Sequence, residues 1–272
     1  MDTLQIEYPA DWTDYELIDS GDGEKLERFG SYTLVRPDPR AMWAKSNPSA
    51  WSNADAIYKR TDLKSGLWHI KNPAPSPWYV SYNNLTFTLR PTEFKHVGVF
   101  PEQSVNWMWL KNIIHGKPLK VLNLFAYTGG ATMATAEAGA YVTHVDAVKS
   151  AIDWAHENVR ASHLENKSMR WIEEDAYKFV LREARRGSTY DGIIMDPPRF
   201  GRGTKGEVWK LEDDLPKLVK ACIDILSPNP TFFLLNAYTA DLSSIALGNM
   251  LTSAMGKHKG AVSFGELALK ES

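Results

Sequence analysis

The chain has 272 residues, 43% hydrophobic and 24% charged, with a formal net charge of -2. That length suits one large α/β domain with a smaller companion and supplies enough apolar residues for a sizeable core. The charge balance excludes a broadly basic nucleic-acid coat, though not a local basic patch. The single cysteine, Cys222, excludes an internal disulfide and a thiolate metal cluster, and it fits a reducing cytoplasm. No run of about 18 apolar residues occurs, and the opening MDTLQIEYPADW does not read as a signal peptide.

Nine of the fifteen prolines precede Val105 and five of the ten tryptophans precede Val80. Short β-rich runs lie in the same stretch: Tyr15–Ile18, Tyr32–Arg36, Leu67–Lys71, Trp78–Tyr82 and Leu85–Leu89. Turn formers (SGDGE, NPAPSP, YNN) separate them, so residues 1–95 are expected to form a small antiparallel β domain. Residues 96–272 read differently. SVNWMWLKNII predicts a helix, and strands then alternate with helices. The strands are Lys120–Phe125, Tyr141–Asp146, Met169–Glu173, Gly192–Asp196, Phe232–Ala237 and Ala261–Leu267. The helices between them are Ala131–Ala138, Ser150–Ser162, Ala176–Ala184, Val208–Leu226 and Leu242–Ala254. Such alternation predicts an α/β fold with a doubly wound, mostly parallel, Rossmann-like sheet and right-handed crossovers.

Ligands of such sheets bind outside the carboxyl ends of the strands, so the strand ends carry the functional signal. The first strand ends in NLFAYTGG, whose Gly129 and Gly130 permit close backbone approach ahead of a helix N-terminus. The second ends at Asp146-Ala147, an acid placed for a ribose diol. Asp175-Ala176 follows the third, and Asp196-Pro197-Pro198 ends the fourth. The first two features alone fit a nicotinamide protein as well as a methyltransferase. The missing G-x-G-x-x-G weakens the former, because no dense set of N–H groups is laid out for a pyrophosphate. Each feature also has a plainer reading. TGG is then a tight turn, Asp146 and Asp175 are helix caps, and the proline pair is a stiff inert loop. The seven histidines show no ligand spacing, and no metal is expected.

The constellation over residues 95–272 resembles the class I S-adenosylmethionine-dependent methyltransferases. More narrowly, FKHVGVFPEQSVNWMWL, VLNLFAYTGGATMATAEAGA, DAYKFV and DPPRFGRG resemble bacterial ribosomal-RNA large-subunit methyltransferases with a D-P-P-x-F motif. The resemblance implies S-adenosylmethionine as cofactor. Phe100 and Gln103 would close over it, and Asn123, Phe125, Thr128 and Gly129 would shape the methionine cradle. Asp146 with Ala147 would take the ribose, and Asp175 with Ala176 the adenine edge. Asp196, Pro197 and Phe200 would face the methyl acceptor.

Methylation of a pyrimidine carbon usually requires a cysteine nucleophile. The family places that thiol in the fourth motif or at the end of the fifth strand; neither DPPRF nor FFLLNAYTADLS contains one. Cys222 falls on the apolar face of a helix with Leu211, Leu215, Leu218, Val219, Ile223 and Leu226, and reads as a core residue. The expected chemistry is therefore transfer to a nitrogen, which needs alignment more than activation. Phe200 is a candidate to stack on a flipped base. Arg199, Arg202, Lys205 and Lys210 surround the acceptor motif with glycine-spaced positive charge, which suits an RNA backbone as substrate. Two other readings fit the same residues: a methyltransferase for small-molecule or protein amines, and a non-catalytic module that keeps the cofactor fold. Finally, only five residues follow Leu267. A seventh strand has no room there, so either the native polypeptide continues or another segment or subunit covers the outer edge of the fifth strand.

Overall fold

The computed structural model describes residues 4–61, 66–202, 206–239 and 241–272. They form two compact units. The smaller combines Tyr8–Val105 with Ala268–Ser272, and the larger combines Met1–Glu7 with Asn106–Leu267. The chain's first strand, β1 (Gln5–Glu7), belongs to the larger unit. The boundary near residue 105 lies ten residues after the expected one at 95.

The smaller unit holds a five-stranded sheet in the order β2 (Tyr15–Gly21), β3 (Glu24–Phe29), β4 (Tyr32–Pro37), β5 (Ala56–Arg60) and β6 (Gly66–Ile70). A short helix, α1 (Pro48–Trp51), connects β4 to β5, and a hairpin follows from β7 (Tyr79–Tyr82) and β8 (Leu85–Thr88). Asp22 and Gly23, both with positive φ (51° and 77°), make the two-residue turn between β2 and β3 that matches strand twist. The sheet is not wholly antiparallel: the crossover through α1 sets β4 and β5 parallel. Strands β3 and β5 were not apparent in the sequence, because EKLERF and AIYKR show little apolar alternation. Aromatic rings fill the core. Trp12 packs on Tyr82 (4.7 Å between centroids), Tyr15 on Phe29 (5.0 Å) and Tyr32 on Trp78 (5.0 Å). This use accounts for the concentration of tryptophan in the first third of the chain.

The larger unit is a three-layer α/β/α structure. Its elements are α2 (Ser104–Ile114), β9 (Lys120–Leu124), α3 (Gly130–Glu137), β10 (Tyr141–Asp146), α4 (Lys149–Ala161), β11 (Met169–Glu173) and α5 (Ala176–Arg185). They continue with β12 (Gly192–Met195), β13 (Phe200–Arg202), β14 (Val208–Lys210), α6 (Leu211–Ile223), β15 (Phe232–Leu235), α7 (Ser244–Ala254) and β16 (Gly265–Leu267). The main sheet is fully parallel, in the order β11-β10-β9-β12-β15. Alternation along its strands builds two cores. Leu122, Leu124, Ile193 and Met195 face α5, α6 and α7, whereas Val121 and Ile194 join Leu110, Ile114 and Ala136 on the other side.

Two expectations need correction. Residues 208–210 are a strand, not the start of a helix: they pair antiparallel with Phe200–Arg202, and the helix begins only at Leu211. Glu212, Asp213 and Asp214 in its first turn suit the positive end of the helix dipole and mark that true start. The expected sixth strand does not join the main sheet. Only Gly265–Leu267 is extended, and it pairs in parallel with β1 (Gln5↔Gly265, Glu7↔Leu267). The side chains just before it are used elsewhere. Val262 packs on the core beside α7, and Phe264 fills the space over Gly248, where a Cβ would lie 2.5 Å from the ring. That packing turns the segment away from β15, which ends the sheet.

Candidate active site

Chain order reverses across β9: β10 and β11 lie on one side, β12 and β15 on the other. The crevice at such a switch point is where parallel sheets bind ligands. The loops that line it follow β9, β10, β11 and β12.

The loop after β9, Phe125–Gly129, is strained and pinned. Phe125, Tyr127 and Gly129 all have positive φ (55°, 49° and 85°), a conformation that costs free energy for the two aromatic residues. Hydrogen bonds hold it: Ala126 N–H donates to the Val145 carbonyl (3.1 Å), and Asn158 Nδ2 donates to the Thr128 carbonyl (2.9 Å). Thr128 is buried, and the half-buried Phe125 ring lies against Trp209 (5.1 Å). The space beside the glycine pair, where side chains would stand, is taken by neighbouring protein atoms. A Cβ on Gly129 would meet the Ala155 Cβ at 3.0 Å, and one on Gly130 would meet the Trp107 ring at 2.6 Å. Both glycines serve close packing of protein on protein.

Asn123 acts from below. It is buried, and its Nδ2 donates to Thr132 Oγ1 (2.9 Å), which lies 2.9 Å from His144 Nδ1. This polar chain ties β9 to α3 and β10 beneath the loop. Burial pushes the His144 imidazole down to about 3, so it stays neutral, and its Nε2 has no hydrogen-bond partner among the described residues.

Asp146 ends β10. Its Oδ2 accepts from Tyr127 N–H (2.8 Å) and its Oδ1 from Val148 N–H (2.9 Å). Burial raises its carboxyl above the usual value, and these amides with that of Ala147 pull the other way. It is not the cap of α4, whose N-cap position is Val148. A carboxylate has about four acceptor directions, more than the backbone amides fill, so capacity remains for a hydroxyl donor. Ala147, half-buried, links Asp146 to that helix. Asp175 is the cap of α5, accepting from Lys178 N–H (3.0 Å), and Ala176 behind it is buried.

On the far side, the register Met195↔Leu235 brings the next residues, Asp196 and Asn236, together, and Asn236 Nδ2 donates to Asp196 Oδ1 (3.1 Å). Sequence reading missed Asn236 as a site residue; its place at the end of the adjoining parallel strand was the available signal. Pro197 is buried, and the Pro198 carbonyl accepts from Trp209 Nε1 (2.7 Å). Phe200 stands on the β13–β14 hairpin, 56% exposed. Arg199 is ion-paired with Glu212 (3.3 Å) and with Asp241, so its charge is already shared. Arg202 pairs through its backbone with Val208, and Lys205 lies outside the described residues. Phe100 and Gln103 belong to the smaller unit, where the turn Pro101–Gln103 follows and the Phe100 ring packs on His96 (5.0 Å).

Residues 41–241 match the family model for S-adenosylmethionine-dependent methyltransferases. The structure is similar to the crystal structure of the SAM-dependent methyltransferase from Agrobacterium tumefaciens, with 47% identity and a TM-score of 0.93 over 100% of this chain and 90% of that one. Among curated proteins, ribosomal RNA large subunit methyltransferase I of Shewanella amazonensis is 30% identical over 156 residues, which are 53% of this chain and 39% of that protein. Ribosomal RNA large subunit methyltransferase K of Neisseria meningitidis is 22% identical over 85% of this chain and 67% of its own length. The chain thus spans only part of these curated relatives.

Proposed function

Because the chain belongs to the S-adenosylmethionine-dependent methyltransferase family, we propose that it methylates a nitrogen of a base in ribosomal RNA. The observation that carries the nitrogen reading is the Asp196–Asn236 pair at the acceptor end of a site without a thiol. Cys222, the single cysteine, is fully buried on α6 in the core, and burial pushes its thiol far above the ordinary value. A thiolate able to add to a pyrimidine carbon is therefore missing.

When bound, the cofactor supplies an electrophilic methyl group on a sulfonium. Asp146 would accept ribose hydroxyls on the acceptor capacity its amide bonds leave open, and Asp175 with Ala176 would border the adenine. The first-turn N–H groups of α3, which have no partner within the helix, face the methionine carboxylate. Asp196 and the Pro197 carbonyl accept hydrogen bonds from the acceptor's N–H, which points the nitrogen lone pair at the methyl carbon. Transfer would form the N–C bond as the S–CH3 bond breaks and the neutral thioether leaves, and Asp196 would accept the proton that the nitrogen loses. Phe200, exposed on its hairpin, stacks on the flipped base, and Lys210 supplies positive charge for the phosphate backbone.

One observation favours a small-molecule or protein amine instead: Glu212 and Asp241 already neutralise Arg199, which weakens the basic patch beside the acceptor motif. Mass mapping of ribosomal RNA nucleosides from cells with and without this gene separates the readings. An N-methylated base that disappears with the gene is the expected result. Unchanged nucleosides overturn the RNA acceptor, and a lost C-methylated pyrimidine overturns the nitrogen chemistry.

A further inference from the structure

We propose that Trp209 is a positioning residue that couples the cofactor loop to the acceptor loop. The inference goes beyond the acceptor's identity and holds for RNA, small-molecule or protein amines alike.

Trp209 sits on β14, one strand of the small hairpin, and is 7% exposed. Its two faces of interaction reach different catalytic loops. The ring lies against Phe125 (5.1 Å, planes tilted by 52°), the first residue of the strained loop after β9. The indole N–H donates to the Pro198 carbonyl (2.7 Å), the last rigid link of the loop after β12. Backbone pairing sets Trp209 opposite Gly201, so the same residue also fixes the strand that carries Phe200.

The chemistry of two successive prolines makes that hydrogen bond consequential. Pro197 and Pro198 have fixed φ and no N–H, so ψ is the only free backbone torsion at each. Holding the Pro198 carbonyl sets ψ there, and with it the direction in which Arg199 and Phe200 leave the loop. A shift of Phe125, whose left-handed backbone is held by neighbours and not by its own preference, moves the ring it packs on. A ligand that orders the first loop therefore orders the acceptor platform through one side chain. The ring contact carries the link from Phe125 to Trp209, and the N–H carries it on to Pro198. Each half is separately breakable.

Amide hydrogen exchange of residues 199–202 and 208–210, with and without S-adenosylhomocysteine as probe, reads this coupling without any acceptor. In the unaltered protein the probe is expected to slow exchange there about threefold or more. Trp209→Phe keeps an aromatic ring and removes the N–H; Phe125→Leu keeps the N–H and removes the ring contact. Both are expected to abolish the slowing, with the melting temperature of Trp209→Phe close to that of the parent and its probe affinity within about twofold. With a methyl acceptor present, Trp209→Phe is expected to cut the single-turnover rate about tenfold or more while leaving KM for S-adenosylmethionine unchanged. Persistence of the slowing in either variant overturns the proposal. So does a rate loss in Trp209→Phe that is matched by an equal loss of cofactor affinity. Failure of any RNA to become methylated would count against the RNA reading and leave this result standing.

Discussion

Asp146 and Asp196 end the strands on either side of β9, yet they are held by different means. Asp146 accepts from two backbone amides, Tyr127 and Val148, and burial raises its carboxyl above the usual value. Asp196 leans on a side chain, Asn236, across one strand register. A backbone clasp is built by the fold itself and presents the carboxylate in one orientation without ordering a second side chain. A side-chain clasp is adjustable. The first suits a group that must fit the same cofactor every time, and the second suits a group that aligns a reacting atom. The buried charge of Asp146 has a further consequence. Its folded pKa lies above the unfolded value, so its ionisation reduces stability as pH rises through that folded pKa. Under the proposed role of Asp146, hydroxyl donors from a bound ribose would offset that loss.

The largest expected effect comes from Asp196→Ala. Methyl transfer should fall on the order of a hundredfold or more, because alignment and proton acceptance are lost together. Cofactor affinity should stay within a few-fold. A calorimetric titration showing equal loss of both would erase the division of labour between the two acids.

Asp146→Ala should do the reverse. Losing two charge-assisted hydrogen bonds to the ribose is worth about 2 kcal/mol, roughly thirtyfold in affinity. The thermal stabilisation given by S-adenosylhomocysteine should shrink accordingly, while the rate at saturating cofactor changes little. Unchanged affinity in a folded variant would remove Asp146 from the site.

Asn236→Ala tests the clasp alone. A hydrogen bond to a partly exposed charged group is worth about 1.5 kcal/mol, so turnover should drop around tenfold with cofactor affinity intact. Asn236→Asp, which places a second carboxylate beside Asp196, should be worse than alanine; a variant better than alanine would show that the amide does not orient Asp196.

Much of this site was legible because strand ends are legible. The parallel strands carry runs such as KVLNL and YVTHVD, and the acids stand where those runs stop. Asp146, Asp175 and Asp196 could be found that way without knowing any contact. Asn236 and Trp209 could not, because their roles arise from register and from a hairpin between residues 200 and 210. That hairpin is short, and VWK followed by LEDDL reads as one helical stretch until pairing is known. The packing role of the glycines was illegible for a related reason: the sequence states that a side chain is absent, not what fills the space. Ala155 and Trp107 fill it here. The end of the sheet was misjudged because apolar alternation in Ala261–Leu267 suits a strand, whereas Phe264 is committed to Gly248 on α7.

The smallest expected effect, and the one on which the meaning of Asp196 rests, is that of Cys222→Ala. If the reaction were carbon methylation, Asp196 would serve a thiolate adduct, and the comparison with Asp146 would be between a binder and an accessory. Cys222 is 0% exposed, surrounded by Leu218, Val219 and other residues of the α6 core, and burial raises its thiol pKa instead of lowering it. Both facts oppose a nucleophile, which needs exposure and a stabilised thiolate. Removing the sulfur leaves a small cavity, so stability should fall by about 1 kcal/mol and the melting point by a few degrees. Single-turnover methyl transfer, measured below that transition, should stay within about twofold of the parent, since no bond to the acceptor passes through the residue. Loss of activity in the folded variant, or a covalent adduct of 5-fluoropyrimidine RNA at Cys222, would move the chemistry to carbon and leave Asp196 as its helper.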